Sequence, residues 1–119
     1  MSVTIYHNPR CSKSRETLNL LEQHGYQATV VEYLKQPLNA EELRELIQQL
    51  GLTSAHDLLR TKEAEYKLAG LSKSSEENAV INAMVTYPKL MERPVVSVNG
   101  KAAIGRPPES VLALFQAKS

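Results

Sequence analysis

Residues 3–33, VTIYHNPRCSKSRETLNLLEQHGYQATVVEY, decide the fold. Val3-Thr4-Ile5-Tyr6 is β-branched and aromatic, which is a strand signal, and Asn8-Pro9 breaks it. From about Ser12 to His24 the chain reads as a helix. Leu18, Leu20 and Leu21 supply its apolar side, and Gly25 stands just past its end. Residues 28–33 (ATVVEY) read as a second strand. The unit is strand, crossover helix, strand, so its two strands are expected to be parallel.

Downstream, Asn39 followed three residues later by Glu42 has the spacing of a capping box. The helix it opens carries Leu43, Leu46, Ile47 and Leu50 at i, i+3, i+4 and i+7, and Gly51 ends it. Thr53 can cap a short helix holding Ala55, Leu58 and Leu59. Residues 61–78 are polar and lysine-rich and read as a partly helical surface segment. Ser74 and Glu77 repeat the capping-box spacing ahead of Ala79, Val80, Ile81, Ala83, Met84 and Val85, a helix stopped by Pro88.

Pro94 then precedes a strand, residues 95–98. Asn99-Gly100, the preferred type I′ dipeptide, turns the chain into residues 101–104. Pro107-Pro108 leads into a last helix with Val111, Leu112, Leu114 and Phe115. The order is β-α-β, a helical block, then β-β-α. This predicts an α/β fold, a mixed sheet with helices on both faces in the thioredoxin-like arrangement. A single domain over 1–119 is expected, with a helical insertion at about 39–88.

Composition agrees with such a domain. At 119 residues, with 42% hydrophobic and 23% charged residues, the chain can bury a core without metals or disulfides. The net charge of +1 offers no global field for nucleic acid or an acidic membrane. No run approaches the ~18 apolar residues of a membrane span, and MSVTIYHNPR lacks a signal-peptide core. One cysteine, Cys11, excludes an internal disulfide, and three histidines with one cysteine give no zinc spacing. The expectation is a cytoplasmic, monomeric protein with a free thiol.

Cys11 lies where the first strand hands over to the first helix. Backbone N–H groups there lack intrahelical partners, and the helix end carries partial positive charge. His7, Arg10, Lys13 and Arg15 surround it in sequence, with no acidic residue before Glu16. These features favour thiolate over thiol, and the thiolate is the nucleophile. Ser14 stands where a dithiol site would carry its second cysteine, so a self-contained dithiol cycle is excluded. Three further arginines stand out: Arg60 ends a short apolar helix, Arg93 precedes Pro94, and Arg106 precedes Pro107. Together they would suit a tetrahedral oxyanion. On spacing alone they read as solvated surface arginines.

His7-Asn8-Pro9-Arg10-Cys11-Ser12-Lys13-Ser14-Arg15 resembles the H-N-P-x-C-x-x-S-R signature of the glutaredoxin-dependent arsenate reductase family. The similarity continues through Leu58-Leu59-Arg60, Tyr66 with Leu71, Tyr87-Pro88, Arg93-Pro94-Val95-Val96 and Gly105-Arg106-Pro107. The resemblance implies that Cys11 attacks arsenate, that His7 helps lower the thiol pKa, and that Ser14 and Arg15 support the cysteine loop. It gives Arg60, Arg93 and Arg106 to oxyanion binding and implies a cis bond before Pro94. It further implies glutathione as co-substrate, glutaredoxin as partner, and no bound cofactor or metal. Some members extend past the C-terminus seen here; that tail carries none of the matched motifs.

Two other functions fit the same residues. One is a thiol oxidoreductase acting on another oxyanion or on glutathione mixed disulfides. The other is a non-enzymatic regulator binding a macromolecular partner. A polymerase-binding branch of the family usually carries C-x-x-C at the N-terminal motif, and Ser14 argues against it.

Overall fold

The computed structural model describes residues 2–115. These form two compact units, one made by the chain up to Tyr33 together with the chain from Arg93 onward, the other by Leu34–Glu92.

The first unit holds the sheet. Strands β1 (Val3–His7), β2 (Thr29–Glu32), β3 (Val95–Val98) and β4 (Lys101–Ile104) lie in the order β2-β1-β3-β4. β1 pairs with β2 in parallel, and β1–β3 and β3–β4 are antiparallel. This is the mixed thioredoxin-like sheet that the element order implies. β2 is shorter than expected. Asn99 and Gly100 take positive φ values of 51° and 83°, as a type I′ turn requires at both central positions.

Helix α1 (Ser12–Gln23) follows β1. Its wholly inward row is Ser14, Thr17 and Leu21, so two hydroxyls and one leucine face the interior. Leu18 and Leu20 are half-buried. The core gathers Val3, Ile5, Leu21, Val96, Val98 and Val111. Alternation along β1 places Val3, Ile5 and His7 on the buried face. Tyr26 and Phe115 stack with ring centroids 3.8 Å apart.

The last helix is a 3-10 helix, Pro108–Phe115, rather than an α-helix. A three-residue turn aligns Pro108 and Val111, both buried, with Leu114, which is half-buried and packs on the core together with Phe115. Both Arg93–Pro94 and Arg106–Pro107 are cis. The first matches expectation, whereas the second carried no sequence signal.

The second unit is helical: α2 (Ala40–Leu50), a 3-10 turn at Ala55–Leu58, α3 (Ala64–Leu68), α4 (Glu77–Thr86) and a 3-10 turn at Pro88–Leu90. Asn39 and Glu42 form the expected capping box, each side chain meeting the other's backbone N–H at 2.8 and 2.9 Å. Leu43, Leu46 and Ile47 of α2 are buried, as are Val80, Ile81 and Met84 of α4.

Two expected caps are replaced. Ser54, not Thr53, caps the 3-10 turn, accepting from the His56 N–H at 3.1 Å. The Ser74–Glu77 box does not form. Glu77 instead accepts the Ala55 N–H at 3.0 Å and lies 3.4 Å from the Ser54 hydroxyl, and Ser74 pairs with Ser72. The carboxylate thereby satisfies a part-buried N–H of a neighbouring segment instead of its own helix start. Among the described residues no helix is long and apolar enough to cross a membrane.

Candidate active site

Strand register assembles the site. Tyr6 lies opposite Val95, and Val95 lies opposite Ile104. The residues just after β1, just before β3 and just after β4 therefore meet at one end of the sheet. They carry Cys11, Arg93 and Arg106.

The cysteine loop is tightly bonded. The Cys11 N–H donates to the Asn8 carbonyl at 3.0 Å, closing a turn with Pro9 at its second position. The Asn8 Oδ1 accepts the Arg10 N–H at 3.0 Å, and Arg15 Nη1 donates to the Pro9 carbonyl at 2.9 Å. Ser14 Oγ accepts the Asn8 N–H at 3.0 Å and lies 2.7 Å from His7 Nδ1. His7, Asn8 and Ser14 are all buried. Ser14 thus joins the end of β1 to the first turn of α1, and Arg15 braces the loop from outside.

Cys11 is the N-cap residue of α1 and is half-buried. The helix has no side-chain N-cap hydrogen bond, so its opening N–H groups remain directed towards the sulfur. Burial pushes the thiol up. The Ser14 N–H, a hydrogen bond from the Arg93 side chain, the Lys13 N–H and the Arg93 charge act against this and prevail. They hold the thiol below its ordinary value. Arg106 Nη2 lies 3.5 Å from Cys11 Sγ, and Arg106 Nε donates to the Arg93 carbonyl at 2.7 Å.

The cationic surroundings differ from the sequence reading in two respects. His7 is not one of the cations. Burial drives its pKa down, Glu32 opposes this and Arg15 assists, leaving it below the ordinary histidine value and neutral at pH 7. Of the cations near Cys11 in sequence, Arg15 reaches the Pro9 carbonyl and Lys13 lies 3.9 Å from Glu16. The charge felt most at the sulfur comes from Arg93, at the far end of the sequence.

Arg60 belongs to the helical unit. Its Nη1 donates to Glu92 at 2.6 Å and its Nε to Glu63 at 3.2 Å. The Arg60 N–H donates to the Leu90 carbonyl at 2.7 Å, beside the Leu59–Met91 bridge. Burial lowers the Arg60 pKa, but the bonds to Glu63 and Glu92 outweigh it and raise it, so the residue is firmly cationic.

Sequence reasoning passed over Asn8 as a structural residue and Thr17 altogether. Thr17 lies three residues beyond Ser14, hence on the same helix face. That spacing was the available signal. Among the described residues no group of three or more histidine, cysteine, aspartate or glutamate side chains could hold a metal ion.

Comparison with known proteins gives a consistent result. The ArsC family model matches residues 6–114. The chain is 59% identical to the uncharacterized protein YfgD of Escherichia coli K12, over 94% of this chain and 95% of YfgD. It is 47% identical to an arsenate reductase of Neisseria meningitidis, over 95% and 97% of the two chains. The solved structure of an arsenate reductase from Vibrio cholerae superposes with a TM-score of 0.92 at 51% identity, covering 95% of this chain and 97% of that one. With the family model spanning nearly the whole chain and the fold matching, this protein belongs to the ArsC family.

Proposed function

We propose that the protein reduces arsenate to arsenite, using Cys11 as nucleophile and glutathione and glutaredoxin as external reductants. The observation that carries this reading is the sulfur's setting. A half-buried thiol with a lowered pKa sits at a helix start, with the Arg106 guanidinium 3.5 Å away and the Arg93 side chain bonded to it.

The thiolate attacks arsenic(V) and displaces one oxygen as water, forming a sulfur–arsenic bond. Arg93 and Arg106 bind the remaining oxygens and offset their charge, supported by the helix N–H groups. A glutathione thiolate then attacks the Cys11 sulfur. The sulfur–arsenic bond breaks and its electron pair passes to arsenic, which leaves as arsenic(III). A Cys11–glutathione disulfide remains, and a glutaredoxin thiol takes the glutathione by exchange, restoring Cys11. One thiol in the chain makes an outside sulfur necessary for this cycle.

Ser14, His7 and Arg15 hold the loop geometry. The neutral His7 acts on the thiol through Ser14 and not as a nearby positive charge. Arg60 keeps the oxyanion-binding role that the resemblance gives it as an expectation, to be tested by the arsenate KM of Arg60→Ala.

The deciding assay is arsenate-dependent NADPH oxidation coupled through glutathione reductase and glutaredoxin. Turnover that Cys11→Ser abolishes supports the assignment. A reactive Cys11 without arsenate turnover overturns it and moves the function to another oxyanion or to glutathione mixed disulfides.

A further inference from the structure

Thr17 does not reach the sulfur, yet it touches both pieces that define its surroundings. It is wholly buried in the second turn of α1. Its hydroxyl donates to the Lys13 carbonyl at 2.7 Å, which ties it to the turn that presents Cys11. The same hydroxyl, with the Thr17 methyl, also meets Gly105, the residue before Arg106. A Cβ on Gly105 would lie 2.6 Å from Thr17 Oγ1, 3.2 Å from Thr17 Cγ2 and 2.8 Å from Pro94 Cγ. The Gly105 N–H donates to the Pro94 carbonyl at 2.9 Å. Thr17, Gly105 and Pro94 therefore interlock without space for one more carbon, directly beside Arg93 and Arg106.

We infer that Thr17 is a positioning residue: through its contact with Gly105 and Pro94 it sets the distance between the Cys11 thiol and the Arg93 and Arg106 guanidinium groups. This deepens the proposed reaction and rests on it for the substrate, but the spacing itself is a property of the free enzyme. The helix carries the nucleophile and the loops flanking β3 and β4 carry the cations. Strand pairing brings the two to one end of the sheet, and the contact between helix and loops adds the remaining constraint on their separation. The Arg106 guanidinium meets the sulfur at 3.5 Å, and the strength of a charge-assisted bond depends on that distance. A shift of a few tenths of an ångström at Gly105 is passed to Arg106 through one peptide bond.

The test separates this from the arsenate assignment. The rate of Cys11 alkylation by iodoacetamide is measured against pH for wild type, Gly105→Ala, Thr17→Ala and the double variant, with folding checked by circular dichroism. Arsenate is absent, so the readout stands even if arsenate is not the substrate. Gly105→Ala is expected to slow alkylation at pH 7 roughly threefold or more, through a smaller thiolate fraction. Adding Thr17→Ala removes two of the three crowding contacts and is expected to restore part of the loss. Where turnover is measurable, KM for arsenate rises more than kcat falls in Gly105→Ala. A folded Gly105→Ala with wild-type alkylation at every pH overturns the inference. So does a double variant no faster than Gly105→Ala, because Thr17 would then not be the contact that matters. If Gly105→Ala does not fold, Thr17→Ala alone decides. An unchanged pH profile in that variant overturns the positioning role, and a raised midpoint supports it.

Discussion

Arg106 Nη2 stands 3.5 Å from Cys11 Sγ although 95 positions separate the two residues in the chain. The contact places a permanent cation at the one thiol of the protein. It also fixes Arg106 from two sides, because its Nε is held by the Arg93 carbonyl. A guanidinium restrained in this way loses little freedom when an oxyanion binds.

On the proposed reaction, replacing Arg106 by Ala removes a charge-assisted bond to the anion. Such bonds contribute about 1.5–3 kcal/mol, so kcat/KM for arsenate is expected to drop on the order of tenfold or more. Arg106→Lys keeps the charge but loses the planar fork, and recovers only part of the rate. Steady-state kinetics checks both. Wild-type kcat/KM in Arg106→Ala would remove this residue from the oxyanion site.

The alkylation rate of Cys11 as a function of pH should show a midpoint below that of an ordinary free thiol. Arg93 lowers the thiol pKa by a hydrogen bond and by its charge. Arg93→Ala is therefore expected to move the midpoint upward, towards the value set by burial and the helix N–H groups. A midpoint that stays in place would mean that Arg93 does not act on the thiolate.

The folded protein holds His7 below its unfolded pKa of about 6.5. Between the two values the unfolded chain binds more protons than the folded one, so falling pH favours unfolding. The contribution of neutral His7 is present above about pH 6.5 and is lost as pH falls through the folded pKa. Denaturation midpoints of wild type should decline over that interval more than those of His7→Gln. Parallel curves for the two proteins would refute the effect.

Arg60 with Glu63 and Glu92 forms a partly shielded network in the helical unit, with the Arg60 and Glu92 side chains 25% and 24% exposed. Arg60→Ala leaves both carboxylates without this cation. We expect a loss of about 1–2 kcal/mol in urea denaturation, more than for an exposed pair. Glu92→Gln should lose less, because the amide oxygen still accepts from Arg60. Equal stability of Arg60→Ala and wild type would show that the network does not hold the unit together.

Glu77→Ala strands the Ala55 N–H, which now meets both carboxylate oxygens at 3.0 and 3.1 Å. A cost of about 1 kcal/mol is expected, comparable to the loss of a cap. Thermal denaturation checks it, with Ser74→Ala as the comparison that should change little.

Local chemistry made much of this fold readable. Asn39 and Glu42 face each other across one helical turn, so their capping box depends on nothing outside four residues. Asn99-Gly100 tolerates left-handed backbone at both positions, so the hairpin follows from the dipeptide. The same local logic failed at Ser74 and Glu77, because helix α4 begins at Glu77 itself and its carboxylate bonds to the part-buried Ala55 N–H of another segment. It failed at His7 for a related reason. A histidine in a basic stretch reads as a cation, but burial on the inner face of β1 keeps it neutral.

Taken by itself, the sequence determined that one thiol stands at the start of a helix, that no second thiol can resolve it, and that strand order permits a mixed sheet. Periodicity, caps and turns act over a few residues, and they suffice for those statements. Spacing did not show which cations meet the thiol; the family resemblance named Arg93 and Arg106, and the tertiary structure brings them there. The register that sets Tyr6 against Val95 and Val95 against Ile104 carries Arg93 and Arg106 to the end of the sheet where Cys11 lies. Thr17 packs closely on Gly105, the residue before Arg106. Strand pairing and close packing join residues remote in the chain, and nearest-neighbour spacing cannot express either.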